Sequence, residues 1–147
     1  MNNKTVEAWK DQLSTNKCIL VGAQVKIIDP VVSEIVTHLL KIDMIEYIRL
    51  TQNDLQASNE IALKGRTKIP ISTPDHPTAV GVHLLLDISH KTIQFFAITS
   101  AVKGYGERIV NAIVTSIPHD WKAVVVMDWS GGFWDKMAEK YDNILIC

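Results

Sequence analysis

Cysteine is nearly absent: Cys18 and Cys147, near opposite ends of 147 residues, are the only two. Two isolated thiols give neither a zinc-ligand spacing nor a disulfide framework, a usage that fits a reducing compartment. An excess of one charge is missing too, with 15 Lys plus Arg against 16 Asp plus Glu. Without a basic surplus, composition gives no reason to expect a polyanion binder, and without an acidic run there is no solvated tail. No apolar run approaches the roughly 20 residues that span a bilayer. The opening MNNKTVEAWKDQL is polar and amphipathic and lacks the apolar stretch and cleavage site of a secretory signal. Repeats and long linkers are also lacking, so a single cytoplasmic domain over residues 1–147 is expected.

What is present is enough apolar content to build a core: 47% of the residues, which excludes a disordered chain. Periodicity predicts a helix over Thr5 to Leu13 and an Ile/Val-rich strand over Cys18 to Ile28. Asp29-Pro30 is a helix start, since Asp caps and Pro suits the first turn. Val32, Ile35, Val36, Leu39 and Leu40 then recur at helical spacing to about Ile42. Met44 to Lys68 carries little pattern, with a helix expected over Leu55 to Leu63. Ile69 to Pro77, with three prolines, reads as loop. His83 to Asp87 and Thr92 to Thr99 read as strands joined by the turn Ile88 to Lys91.

From Val102 the order is glycine turn (KGYGE), helix (Arg108 to Ser116, closed by Pro118), strand (Trp121 to Met127), helix (from Ser130-Gly131-Gly132 through Glu139) and strand (Asn143 to Ile146). That alternation is an α/β arrangement with helices against a sheet.

A strand ending in a glycine turn that opens a helix can hold an anion. The first helical amides have no internal partner, and the helix dipole favours negative charge there. Gly104 and Gly106 let a diphosphate approach the main chain; Lys103 and Arg108 add positive charge, and Glu107 opposes it. The same turn is equally readable as a tight connection with no ligand. Ile109 stands where the dinucleotide fingerprint G-x-G-x-x-G needs its third glycine, and no G-K-S or G-K-T of a P-loop occurs.

Several other groups have both a chemical and a plain reading. Asp87 and His90 can relay protons or simply build the turn between the strands. His83 can face a cleft or be a satisfied structural histidine. Asp128 can approach a reaction centre or cap the helix beginning near Ser130. The five histidines form no ligand set with Cys, Asp or Glu, so no metal is assigned. Neither cysteine has a local partner, and no serine sits in a G-x-S-x-G elbow. Trp121, Trp129, Phe133 and Trp134 cluster around the WKAVVVM strand, chiefly as packing.

FFAITSAVKGYGERIVNAIV resembles the central motif of the GNAT superfamily of N-acyltransferases, in which a strand leads into R/Q-x-x-G-x-G/A at a helix start. WKAVVVMDW and SGGFWDKMAEKY resemble the strand and helix that follow it. The resemblance covers about Ala79 to Ile146. It implies an α+β fold with a mixed, largely antiparallel twisted sheet, splayed central strands and flanking helices. The implied activity is transfer of an acetyl group from acetyl-CoA to an amine by direct attack. Ala97, Ile98 and Thr99 would lie along the thioester arm, and Val102, Lys103, Gly104, Tyr105, Gly106, Glu107, Arg108 and Ser130 would hold the cofactor. Phe133 and Trp134 would border the pantetheine channel.

Two positions depart from the family. Its Arg or Gln at the loop start falls on Ala101, and the tyrosine that protonates the leaving thiolate falls on Trp134, whose indole cannot deliver a proton. Asp128, Tyr105, Tyr141 or a water are the remaining catalytic candidates. Thr92 to Ser100 contains no carboxylate, so the usual strand glutamate is missing. The acceptor amine would be shaped by Pro30 to Ile42 and Met44 to Leu63, and its class stays open. Beyond Ile146 either the sheet is shortened or a second copy of the chain completes it, which makes a homodimer one of two expectations. Two other readings stand beside the transferase: a noncatalytic module of the same fold that contacts another macromolecule, and an unrelated α/β protein with a purely structural turn.

Overall fold

Short polar side chains set where the first helices begin. Thr5 caps α1 (Val6–Leu13), its hydroxyl accepting from the Ala8 amide at 3.3 Å. Asp29 caps α2 (Pro30–Leu40), accepting from the Val31 amide at 2.8 Å, and Pro30 occupies the first turn, where its missing N–H costs nothing. Val32, Ile35, Val36 and Leu39 form the buried face of α2, as their spacing predicts. The computed structural model describes residues 4–59, 79–126 and 132–147.

The chain forms a seven-stranded mixed sheet and a two-stranded ribbon. In the ribbon, β1 (Lys4–Thr5) pairs antiparallel with β3 (Ile27–Ile28). The sheet runs in the order β2 (Cys18–Val21), β4 (Tyr47–Leu50), β5 (Asp54–Ser58), β6 (Val80–Asp87), β7 (Thr92–Ser100), β8 (Lys122–Val125), β9 (Ile144–Ile146). Its centre, β4 through β7, is antiparallel; β2 joins β4, and β8 joins β7 and β9, in parallel. The two helices α3 (Tyr105–Val114) and α4 (Phe133–Lys140) connect these last parallel strands. This is the mixed α+β architecture that the resemblance implied.

Alternation decides which face is core. Ile48, Leu50, Leu55, Ala57, Val82, Leu84, Ile93 and Phe95 are buried in one cluster with α2 and with Ile109, Val110 and Ile113 of α3. α2 and α3 touch each other on that face, where the Ser116 hydroxyl donates to the Glu34 carbonyl. The other face carries Arg49, Asp54, Gln56 and His83.

Two expectations need correction. Cys18 to Ile28 is not one strand: a turn in which the Val25 amide bonds the Gly22 carbonyl at 3.0 Å separates β2 from β3, which pair in different sheets. The expected helix over Leu55 to Leu63 is, in its described part, strand β5. Leu, Gln and Ala favour a helix locally, but pairing with β4 and β6 overrides that preference. The remainder of that stretch, and the Ile69 to Pro77 loop, lie outside the described residues. Smaller shifts also occur: α3 begins at Tyr105 rather than Arg108, and α4 runs on to Lys140.

Candidate functional site

β7 is paired along its whole length with β6, but with β8 only through Thr92, Ile93 and Gln94. Among the described residues, nothing pairs with its second half on the β8 side. β7 and β8 are therefore joined at one end, and among the described residues their pairing stops at Gln94, short of α3, the pattern of strands that splay apart. At the same place the β6 register shifts: His83 faces Ala97 and Leu84 faces Phe95, leaving Phe96 as the extra residue of a bulge. Phe96 is 41% exposed and meets the His83 ring edge-on at 5.1 Å. Beyond it, Ala97 and Ile98 are half-buried and Thr99 is buried. Of these three residues, expected to lie along an acyl carrier, Ala97 and Ile98 have no β8 partner among the described residues, while Thr99 is engaged.

The strand then enters the glycine turn. The Ser100 hydroxyl donates to the Val102 carbonyl, and the Tyr105 amide bonds the same oxygen at 3.4 Å. Gly104 adopts φ 94°, a conformation that glycine alone takes without strain, and a side chain built there would meet no atom within 4 Å. Arg108 N–H reaches the Gly104 carbonyl at 3.2 Å, closing the first turn of α3. The amides of Gly106 and Glu107 have no partner among the described residues, so the head of α3 is bare.

Phe133 stands across from this head. A Cβ on Gly106 would lie 3.4 Å from its ring, and the ring packs edge-on against Trp134 at 5.1 Å. Trp134 in turn meets Phe95 at 4.7 Å and is 4% exposed. The aromatic trio Phe133, Trp134 and Phe95 therefore backs the splay, with Phe133 at the glycine turn and Trp134 in the core.

The charges divide differently from a simple count. Glu107 is ion-paired with Lys140 at 2.7 Å, and the hydrogen bond from Lys140 is the main reason its carboxyl titrates below the usual range. Arg108 lies 4.6 Å above the Tyr105 ring and 3.3 Å from Asp43, a carboxylate after α2 that the sequence reading did not single out. Lys103 makes no ion pair among the described residues, which leaves it the available cation at the turn.

The tyrosines are committed elsewhere. Tyr105 donates its hydroxyl to Asp43 at 2.8 Å; that bond raises the Tyr105 pKa and lowers that of Asp43. Tyr141 donates to the Asn111 side chain at 2.7 Å. Asp128 and Ser130 lie outside the described residues. Asp87 and His90 build the β6–β7 turn, with the His90 ring nitrogen 2.9 Å from the carboxylate. Two clefts, of about 570 Å³ beside Leu13, Thr37 and Glu46 and about 460 Å³ beside Val25, Leu50 and Ile88, are lined by neither β7 nor α3. No group of His, Cys, Asp or Glu among the described residues could hold a metal, and no described helix is long and apolar enough to cross a membrane.

His83 does have a partner that the sequence reading missed. Its ring nitrogen lies 2.9 Å from an Asp54 oxygen, with Gln56 alongside. The signal was the alternation of Asp54, Gln56 and Ser58 with buried residues, legible only once that stretch is known to be a strand.

Comparison of the chain with protein-family models, curated proteins and solved structures found no match.

Proposed function

We propose that the protein is an acetyl-CoA-dependent N-acyltransferase of GNAT type. The observation that carries this reading is the splay of β7 from β8, running into a glycine turn and a bare helix head. A pantetheine arm has a strand edge to pair with at Phe96 to Ile98, and a diphosphate has the amides of Gly106 and Glu107, which no described residue occupies. Lys103 supplies a nearby positive charge. Each element suits an acyl thioester of a nucleotide carrier better than a bare phosphate, because the unpaired edge needs an extended ligand.

Chemically, a bound thioester would present its carbonyl beside the bulge, where main-chain N–H groups can polarise it. An amine attacks the carbonyl carbon, the C–S bond breaks, and the thiolate takes a proton. With Tyr105 and Tyr141 both engaged, water is the proton donor the described residues leave in place. Trp134, where the resembled family has tyrosine, is consistent with that assignment.

The same engaged tyrosines favour a second reading, in which the fold binds CoA and acts through contacts without turnover. A thermal shift with acetyl-CoA, followed by thiol release with a panel of amines, separates the two. Stabilisation with thiol release supports transfer; stabilisation with none from any amine supports the noncatalytic module. No stabilisation removes both.

A further inference from the structure

The sheet face opposite α2 and α3 carries a polar cluster beside the bulge. Asp54 and Gln56 on β5 and His83 on β6 share that face, because Gln56 pairs with His83 and His83 with Ala97, while Leu55, Ala57, Val82 and Leu84 point into the core. His83 Nε2 lies 2.9 Å from Asp54 Oδ2, with both side chains largely shielded, at 15% and 20% exposed. An ionised carboxylate only accepts, so Nε2 carries the proton and Nδ1 keeps its lone pair. Gln56 Nε2 sits 3.3 Å from Nδ1, to whose lone pair it can donate, and 3.4 Å from Nε2. The other Gln56 amide atom, Oε1, is buried with no hydrogen-bond partner among the described residues.

We infer that His83, held by Asp54, is the general base that takes the proton from the acceptor amine. The inference rests on the transfer reading above and assigns to that reaction a residue it lacked. Position supports it: the His83 ring touches Phe96, the extra residue of the bulge, so it stands about one strand spacing (~4.8 Å) from the strand that would carry the thioester. The amine lone pair forms the N–C bond, and the C–S pair leaves on sulfur. The ammonium first yields one proton to Nδ1, where Asp54 stabilises the imidazolium, and the second proton, lost by the nitrogen after attack, passes through water to the thiolate. Other polar groups on this face are Arg49 and Tyr47 on β4, Ser58 on β5, Asp87 at the far end of β6, and Thr92, Gln94 and Thr99 on β7; Arg49 is the nearest cation in register, opposite Gln56. Asp54 is a positioning residue.

The test measures acetyl-CoA affinity by calorimetry and thiol release with two probes, ethylamine and hydroxylamine, on the wild type, His83→Ala, His83→Gln and Asp54→Asn. Ethylamine arrives protonated and must lose a proton, whereas hydroxylamine is already uncharged at neutral pH. The expected result is acetyl-CoA affinity unchanged within about twofold and ethylamine-dependent release lowered by about 10²-fold or more in the His83 variants. Hydroxylamine-dependent release should fall less than about tenfold, and added imidazole should restore part of the ethylamine rate to His83→Ala. Asp54→Asn should lie between wild type and His83→Ala. His83→Gln guards against a folding defect in the alanine variant, with unfolding curves compared for all four. Equal loss with both probes, or no loss with either, overturns the base assignment while leaving the transferase standing. Failure of the wild type to bind acetyl-CoA, or to release thiol with either probe, overturns the transfer reading and this inference with it.

Discussion

Gly104 and Gly106 are two residues apart, yet the structure predicts opposite outcomes for the same substitution. Gly104 has φ 94° and open space around its missing side chain. Alanine there meets no clash, so its cost is the backbone conformation alone, about 1–2 kcal/mol. For a chain of 147 residues that corresponds to a fall of roughly 2–8 °C in Tm. The new methyl also projects into the space a diphosphate would enter, so acetyl-CoA affinity should weaken by about tenfold or more, ~1.4 kcal/mol. Gly106 lies within α3, and its added methyl would rest 3.4 Å from the Phe133 ring, a close but ordinary contact. Replacing a helical glycine with alanine stabilises by about 0.5–1 kcal/mol, and acetyl-CoA affinity should stay within about threefold. Both variants are read by calorimetric unfolding and by titration with acetyl-CoA. If Gly104→Ala folds and binds acetyl-CoA as the wild type does, the turn is only a connection and the cradle argument fails.

Three further outcomes follow from the same geometry. Tyr105→Phe removes the main cause of the lowered Asp43 pKa, which should rise toward its ordinary value near 3.8 in a carboxyl NMR titration. A depressed carboxylate stabilises the fold above its unfolded pKa and loses that contribution as pH falls through the folded value, so the variant should be the less stable of the two above about pH 3.8 and converge with wild type as pH falls below the folded value. Thiol release should be unaffected, and a loss of a hundredfold would mean that Tyr105 is the acid after all. Lys140→Ala leaves Glu107 uncompensated at the head of α3, and acetyl-CoA affinity should drop by about twofold to fivefold at low salt, with the difference shrinking at high ionic strength. A salt-independent change would contradict that explanation. Trp134→Ala removes the buried ring between Phe95 and Phe133, at a cost of about 3–5 kcal/mol; a loss under 1 kcal/mol in denaturant titration would show that the trio is not packed as described.

The C-terminal half was legible because its signals are local. A glycine turn between an apolar strand and a helical pattern, followed by VVV and a second glycine-opened helix, fixes element type and order without reference to anything distant. The cap at Asp29-Pro30 was legible for the same reason. What escaped depends on partners far along the chain. Strand β5 reads as helix until β4 and β6 are placed on either side of it. With the strand misread, Asp54 and His83, 29 residues apart, could not be recognised as neighbours. Likewise nothing in KGYGE discloses that Tyr105 and Arg108 turn to Asp43, or that Glu107 is neutralised by Lys140, because those contacts follow from how α3 lies against the end of α2 and beside α4. Sequence spacing supplied the charges at the turn; only packing showed which of them remain available.

Hydrogen exchange with and without saturating acetyl-CoA reads the amides in question. Slower exchange should be confined to Phe96 to Ile98 on the β8-facing edge of β7 and to Gly106 and Glu107 at the head of α3, with the β4–β5 hairpin unchanged. Protection absent from both segments, or appearing only elsewhere in the chain, would contradict the assignment of this splay as the seat of an acyl-CoA.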